Sequence, residues 1–228
     1  MLFFHSNFHR PKPRFCGRLK KQTFQETIYK FFTMAQALNL KGTQTEKNLA
    51  EAYIAESTAV TRYTFYAQQA EKEQYYQFTK IFSETADNEL HHAKIFLKYL
   101  TEGGITPGTI SVDMGVLSNT LENLKIAIKE ETHEGVGLYL NDAKIAREEG
   151  FNDLADQFEA IAQIEATHKA RFEKMAERIE NGTVWKREQP VEWVCEVCGY
   201  VFEGTEPPKV CPACFHPYQH YDSPDYGK

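Results

Sequence analysis

The chain reads as a mainly α protein, a four-helix bundle followed by a small metal-bound domain of short strands and loops. Three observations predict this. Between Thr43 and Gly182 apolar residues recur at three-and-four spacing in four long segments. The last 34 residues hold four of the five cysteines as two Cys-x-x-Cys pairs. The inward stripes of the four helices are interrupted at corresponding depths by acids and histidines. At 228 residues, the chain is long enough to bury roughly 70% of its unfolded surface. Hydrophobic content of 42% and charged content of 25% are those of a soluble globular protein. No run of 18 apolar residues occurs, so no membrane association by a spanning helix is expected.

The first 33 residues contain Pro11 and Pro13, scattered aromatics and no sustained period. Residues 1–34 therefore read as a basic, poorly ordered extension, with the bundle over 35–184 and the linker and cysteine domain over 185–228. The extension carries seven Lys/Arg against one acid, Glu26, while the whole chain has a net charge of −6. Nucleic acid is not an expected partner, since only this tail has the clustered positive charge that phosphate binding needs. The extension lacks the apolar core of a secretory signal, and the expected location is cytoplasmic. Cys16 reads as a bystander thiol.

The first helix starts at a capping box, Thr43 with Glu46 three residues on. Its stripe runs through Leu49, Ala52, Ala59, Tyr63 and Ala70. The second spans Tyr75 to Glu102, with Phe78, Phe82, Phe96 and Leu100 inward and Gly103 as its stop. Residues 104–116, entered through Gly103-Gly104 and holding Pro107-Gly108, form a crossover. The third helix runs from Asn119 to Glu149, stopped by Gly150, and the fourth from Asn152 to Asn181, stopped by Gly182. Short, long and short links describe two helical hairpins joined by a crossover. A polar linker, 183–194, contains Pro190. Beyond it Gly, Pro, Cys and aromatics dominate, the composition of a domain too small to fold without a metal staple.

The interruptions of the apolar stripes carry the chemistry. Helix one has Glu56, helix two Glu89 and His92, helix three Glu131 and Glu134, helix four Glu165 and His168. An unpaired ionised carboxylate is too costly to bury, and a group of them is tolerable only around cations. Glu56 to Glu89 spans 33 residues and Glu131 to Glu165 spans 34; Glu56 to Glu131 is 75 and Glu89 to Glu165 is 76. Each hairpin thus presents one Glu and one Glu-x-x-His, whose members share a helix face and reach one ion. This is the arrangement of di-iron and di-manganese carboxylate bundles, and mixed oxygen and imidazole ligation suits either metal. Glu134 is a seventh donor that breaks the repeat and offers one metal a choice of ligand. Tyr63 and Tyr139 stand where a hydroxyl can donate to a metal-bound oxygen species, or where a ring simply packs the core. His91 and His133 are rotated about 100° from neighbouring ligand positions and read as outer residues.

Cys195, Cys198, Cys211 and Cys214 form two knuckles that give one tetrahedral site, open to zinc or iron. The stretch Cys195-Glu-Val-Cys198-Gly199-Tyr200 with Cys211-Pro212-Ala-Cys214 resembles a rubredoxin-type iron centre. Together with Ala55-Glu56-Ser57, Glu89-Leu-His91-His92, Glu131 through Glu134 and Glu165-Ala-Thr-His168, it makes the chain similar to rubrerythrins over about residues 38–221. The resemblance implies a ferritin-like bundle with a rubredoxin-like domain, a non-haem di-iron centre and one four-cysteine iron. It implies that Glu89 and Glu165 bridge the irons, with Glu56 terminal on the first and Glu131 and His168 on the second. By the same resemblance, Glu134 and His92 exchange on the first iron with redox state, and Tyr63 and Tyr139 lie just outside the ligands.

The function expected is reduction of hydrogen peroxide to water, in oxidative stress defence. Glu134, Tyr63 and Tyr139 are the candidate catalytic residues. A one-electron donor, such as a rubredoxin or an NAD(P)H-dependent reductase, refills the pair through the cysteine iron. About 25 Å of helix separates Glu165 from the end of helix four. Unless the linker folds back, a head-to-tail homodimer or larger assembly is expected to bring one chain's cysteine iron to another's pair. The competing reading is a ferroxidase or iron-storage bundle with a structural zinc ribbon.

Overall fold

A computed structural model describes residues 39–100, 105 and 115–223, without the side chains of 134–136. The basic extension with Cys16, the Gly103 stop, Pro107-Gly108 in the crossover and the Glu134 side chain lie outside the described residues. The bundle is built from α1 (Gln44–Lys72), α2 (Tyr76–Tyr99), α3 (Thr120–Glu131), a π-helical segment (Thr132–Leu138), α4 (Tyr139–Glu148) and α5 (Asn152–Glu180). Among the described residues, no helix is long and apolar enough to cross a membrane.

Helix α1 begins as expected, with the Thr43 hydroxyl accepting from the Glu46 N–H at 3.0 Å. The capping box is only half formed, because Glu46 accepts from the N–H of Gly42 at 2.7 Å instead of that of Thr43. The Thr43 N–H is already turned to Leu40 O. Helix α2 ends at Tyr99, three residues before its expected end, where the Leu100 N–H closes a tight turn onto Leu97 O. Gly182 stops α5 as read, with φ +64° and the Thr183 N–H bonded back to Arg178 O. At the end of the crossover, Gly115 has φ +63°, and a Cβ there would meet the Tyr66 hydroxyl at 3.1 Å. Only glycine meets both demands.

The third arm of the bundle is the main departure from expectation. It is not one helix, because a π-helical segment divides it. The spacing already contained this feature. Equivalent residues of the two hairpins lie 75 apart before the segment, as Thr45/Thr120 and Glu56/Glu131 do, and 76 apart after it, as Tyr63/Tyr139 and Glu73/Glu149 do. One inserted residue turns the inward stripe by about 100°. Leu138 is therefore only partly buried, and Tyr139 is fully buried beside it.

The two hairpins also cap each other. Glu73, after α1, accepts from the Thr120 N–H at 3.1 Å. Its equivalent Glu149, after α4, accepts from the N–H groups of Gln44 and Thr45 at 2.9 and 2.8 Å. Each carboxylate faces the positive end of the other hairpin's first helix. Burial opposes ionisation of both; the Gln69 amide bonded to Glu73 at 2.7 Å, together with these bonds, overcomes it and holds both below the usual carboxylate range.

The core falls into two apolar clusters. One is centred on Tyr63, Phe82, Phe172 and Met175, the other on Leu49, Phe96, Tyr139 and Phe158. The acids and histidines lie in a layer between them.

After Gly182 the chain reaches β1 (Val191–Cys195) sooner than the linker reading allowed. It then forms β2 (Val201–Gly204), a 3-10 turn (Tyr218–His220) and β3 (Tyr221–Asp222). The sheet order is β2-β1-β3, with both pairings antiparallel. Trp193 fills the small core, its indole N–H donating to Gly204 O at 2.9 Å and Arg187 lying 4.8 Å above its ring. The domain folds back onto the bundle end. Trp185 stacks on Tyr75 at 5.5 Å, and His220 stacks on Tyr76 at 4.0 Å.

Asp142 was not singled out in the sequence, yet it is buried and accepts from Asn48 Nδ2 at 2.9 Å. Burial, reinforced by the charge of Glu51, pushes it up to about 7. Between about pH 4 and pH 7 the folded protein keeps a proton that the unfolded chain releases, so stability falls as pH rises through that window. Asp142→Asn keeps an acceptor for Asn48 and removes the titration. Thermal melts should show the variant more stable by about 1–2 kcal/mol at pH 8 and equal to wild type near pH 4.

Candidate metal centres

The six members of the buried layer arrive on four helices. Glu56 comes from α1, Glu89 and His92 from α2, Glu131 from the last turn of α3, and Glu165 and His168 from α5; all six are buried. Their donor atoms form two groups of four, Glu56/Glu89/His92/Glu165 and Glu89/Glu131/Glu165/His168, each within 4.8 Å. Glu89 and Glu165 belong to both groups, one oxygen to each. His92 Nδ1 lies 2.8 Å from Glu89 Oε2 and 3.0 Å from Glu165 Oε1. His168 Nδ1 lies 2.8 Å from Glu165 Oε2 and 3.1 Å from Glu89 Oε1.

The layer is short of donors. Both oxygens of Glu89, Oε1 of Glu165 and Nδ1 of His92 are buried without an aligned hydrogen bond. Close nitrogen–oxygen approach without that alignment is the disposition of atoms arranged around a shared cation. The donor set fits a pair of hard or borderline ions.

The side chains themselves hold an uneven set of protons. Burial raises Glu56 well above the usual range and Glu131 to about 8, against the pull of the facing histidines. Burial also opposes ionisation of Glu165, but the contacts of His168 and His92 prevail and lower it to about 2. For His92 and His168 burial acts against charge, and the facing carboxylates overcome it and raise both to about 12.

The two tyrosines form a crossed pair. The Tyr139 hydroxyl donates to Glu56 Oε1 at 2.6 Å, and the Tyr63 hydroxyl donates to Glu131 Oε1. Each ring also packs in its apolar cluster, Tyr63 against Phe172 at 5.3 Å and Tyr139 against Phe96 at 5.6 Å. Both tyrosines therefore meet carboxylates of the layer directly. His91 and His133 are exposed, as read.

Sequence reasoning passed over two polar neighbours of this layer. Arg62 and Glu130, both buried, face each other at 3.6 Å beside Tyr63 and Glu131. The Asn88 amide lies 3.1 Å from His168 Nε2. Neither leaves a motif in a single sequence. Their place beside the charged layer is the only signal, and it needs the helix register.

The four cysteines converge in the small domain. Sγ atoms of Cys195 and Cys214 are 3.7 Å apart, as are those of Cys198 and Cys211. Four sulfurs at 2.3 Å from one ion stand about 3.8 Å from each other, so this spacing fits a tetrahedral metal and excludes disulfides. Two like turns build the site. The Gly199 N–H bonds to Cys195 O at 2.7 Å and the Phe215 N–H to Cys211 O at 2.9 Å. Both residues have positive φ, +77° and +62°.

The sequence matches the rubrerythrin family over residues 47–114 and 122–197, and the family's rubredoxin-like domain over 193–222. The chain belongs to the rubrerythrin family. It is 43% identical over 184 residues to the rubrerythrin of Nitratidesulfovibrio vulgaris, covering 81% of this chain and 96% of that one. It is 42% identical over 184 residues to the rubrerythrin of Porphyromonas gingivalis, covering 81% and 92%. The solved structure of fully reduced, all-ferrous nigerythrin superposes with a TM-score of 0.53 at 26% identity, over 80% of this chain and 87% of that one. Membership in the rubrerythrin family makes the chain a metal-binding protein of an oxidoreductase family with a rubredoxin-like module.

Since the histidines and Glu131 hold protons at neutral pH, metal uptake displaces them. Affinity for iron(II) or manganese(II) should therefore rise with pH between 6 and 8. Calorimetry in buffers of different ionisation enthalpy should show net proton release.

Proposed function

We propose that this chain is a non-haem di-iron peroxidase that reduces hydrogen peroxide to water, with electrons relayed through an iron held by its four cysteines. The observation that carries this is the sharing of Glu89 and Glu165 between two four-donor groups, joined in one chain to a four-thiolate site. Glu56, Glu89, His92, Glu131, Glu165 and His168 would hold the pair, with Glu134, on the π-helical segment, as the additional carboxylate. Cys195, Cys198, Cys211 and Cys214 would hold the single ion. When bound, the iron pair supplies the two electrons that, with two protons, convert one peroxide to two waters, and the cysteine iron returns them singly.

The residues have separable tasks. Glu89 and Glu165 set the spacing of the two halves, and the apolar clusters on either side keep bulk water from the layer. Tyr63 and Tyr139 hold protons at hydroxyl oxygens bonded to Glu131 and Glu56, where a hydrogen-bond donor can serve a reacting oxygen. Cys198 is the exposed cysteine of its site, which suits electron entry from an external one-electron donor in the cytoplasm.

The cysteine domain shares a groove with Lys80, nine residues or about 14 Å along α2 from Glu89. The linker does fold back, yet a stretch of helix still separates the two centres. A second copy, paired head to tail, is retained as the route of electron delivery.

The decisive experiment uses the iron-loaded protein. Cys198→Ser should abolish donor-driven turnover by about 100-fold or more while a chemically reduced bundle still consumes one equivalent of peroxide. Loss of that single turnover would refute the division of labour. A shell of many subunits that accumulates iron, with a colourless cysteine site, would instead favour the ferroxidase reading with structural zinc. Undiminished turnover by a monomer would remove the head-to-tail route.

A further inference from the structure

We infer that Asn88 is a positioning residue that ties His168 in place and makes the two halves of the buried layer unequal in their hold on metal. The inference rests on the dinuclear reading above. His168 is engaged at both ring nitrogens. Nδ1 faces Glu165 at 2.8 Å and Glu89 at 3.1 Å, and Nε2 lies 3.1 Å from the Asn88 amide. The atom placed against Nε2 is the Asn88 amide nitrogen, Nδ2. With Nδ1 committed to the layer Nε2 carries the proton, so the amide must make the half-turn that interchanges its nitrogen and oxygen and accept through Oδ1. His92 Nδ1 lies as close to two carboxylates, without an aligned bond, and no described group meets its Nε2.

The difference traces to one pair of positions. The pseudo-twofold that exchanges Glu89 with Glu165 and His92 with His168 also exchanges Asn88, one residue before Glu89, with Ile164, one residue before Glu165. Asn88 reaches from α2 to the histidine on α5. Ile164, 40% exposed, occupies the corresponding place on α5 and has no polar atom to offer the histidine on α2. The tyrosines cannot be the source of the asymmetry, because they are present in both halves and donate to equivalent carboxylates.

An outer partner on a metal-binding histidine fixes ring orientation and tautomer and raises basicity, and its loss typically lowers metal affinity 10–100-fold. The group Glu89/Glu131/Glu165/His168 therefore takes metal first, and the group Glu56/Glu89/His92/Glu165 fills second and empties first. Two histidines that look alike in sequence acquire different freedom, one fixed and one able to turn.

The test is a stepwise cobalt(II) titration of the full chain, followed by ligand-field absorption, with the thiolate-bound ion read separately by its charge-transfer bands. Wild type should fill the pair in two resolved steps. Asn88→Leu should weaken the tighter step by roughly 10–100-fold and bring the two together. Asn88→Asp, which keeps an acceptor, should restore the separation. Ile164→Asn should tighten the weaker step by a similar factor, a gain that a damaged fold cannot imitate. Imidazole proton spectra give a second readout. One slowly exchanging Nε2 proton is expected in wild type, none in Asn88→Leu and two in Ile164→Asn. Unchanged steps in Asn88→Leu, or equal weakening of both with no gain in Ile164→Asn, would overturn the inference. A wild-type bundle that takes up fewer than two ions would overturn the dinuclear reading, and this inference with it.

Discussion

Four glutamates and two histidines lie together in a dry layer across the middle of the bundle, and the rest of the structure is organised around making that tolerable. Removing one carboxylate from water costs several kcal/mol even after relaxation, and the cost grows when like charges share the space. Here the layer is bounded by aromatic clusters above and below. Its members face one another at 2.8–3.1 Å with too few hydrogens to pair every lone pair. Such a layer stands only if protons or cations compensate it. The raised histidines and Glu131 show the proton solution, and the sharing of Glu89 and Glu165 shows the geometry of the cation solution.

Duplication explains how the layer is positioned. The same parts occur twice, in the glutamate of the first helix, the Glu-x-x-His of the second, the tyrosine and the terminal carboxylate that caps the opposite hairpin. In each crossed pair, a residue of one hairpin secures the other, so the hairpins cannot slide past each other without losing capping and tyrosine bonds together. Departures from the twofold are then meaningful. The π-helical segment, Glu134 on it, the Arg62–Glu130 pair beside Glu131, and Asn88 against Ile164 all make one half differ from the other.

Much of this was legible in the residues. The four arms and the glycine stops at Gly150 and Gly182 follow from periodicity and chain reversal, and the six layer residues stand out as charged groups on stripes that should be apolar. The cysteine knuckles are read from spacing alone. Other features were not legible. The one-residue change from 75 to 76 was visible, but a change of one residue is equally consistent with a longer loop, so the π-helical segment needed coordinates. Glu46 has two neighbouring N–H groups within reach, and only the path of the chain before Thr43 decides which it takes. Asn88 and Asp142 are ordinary polar residues in sequence. Their roles arise from what α5 and α1 place opposite them.

What the sequence by itself determined is everything governed by local period and by the chemistry of the donors: helical arms, a repeated carboxylate–histidine pattern, a four-thiolate site and membership in the rubrerythrin family. The tertiary structure alone decided which oxygen faces which histidine, which tyrosine serves which carboxylate, and where the cysteine domain rests on the bundle end. The physical reason is distance. Period and spacing describe one helix at a time, whereas the layer gathers residues as far apart in the chain as Glu56 and Glu165, and their geometry exists only once the two hairpins are packed.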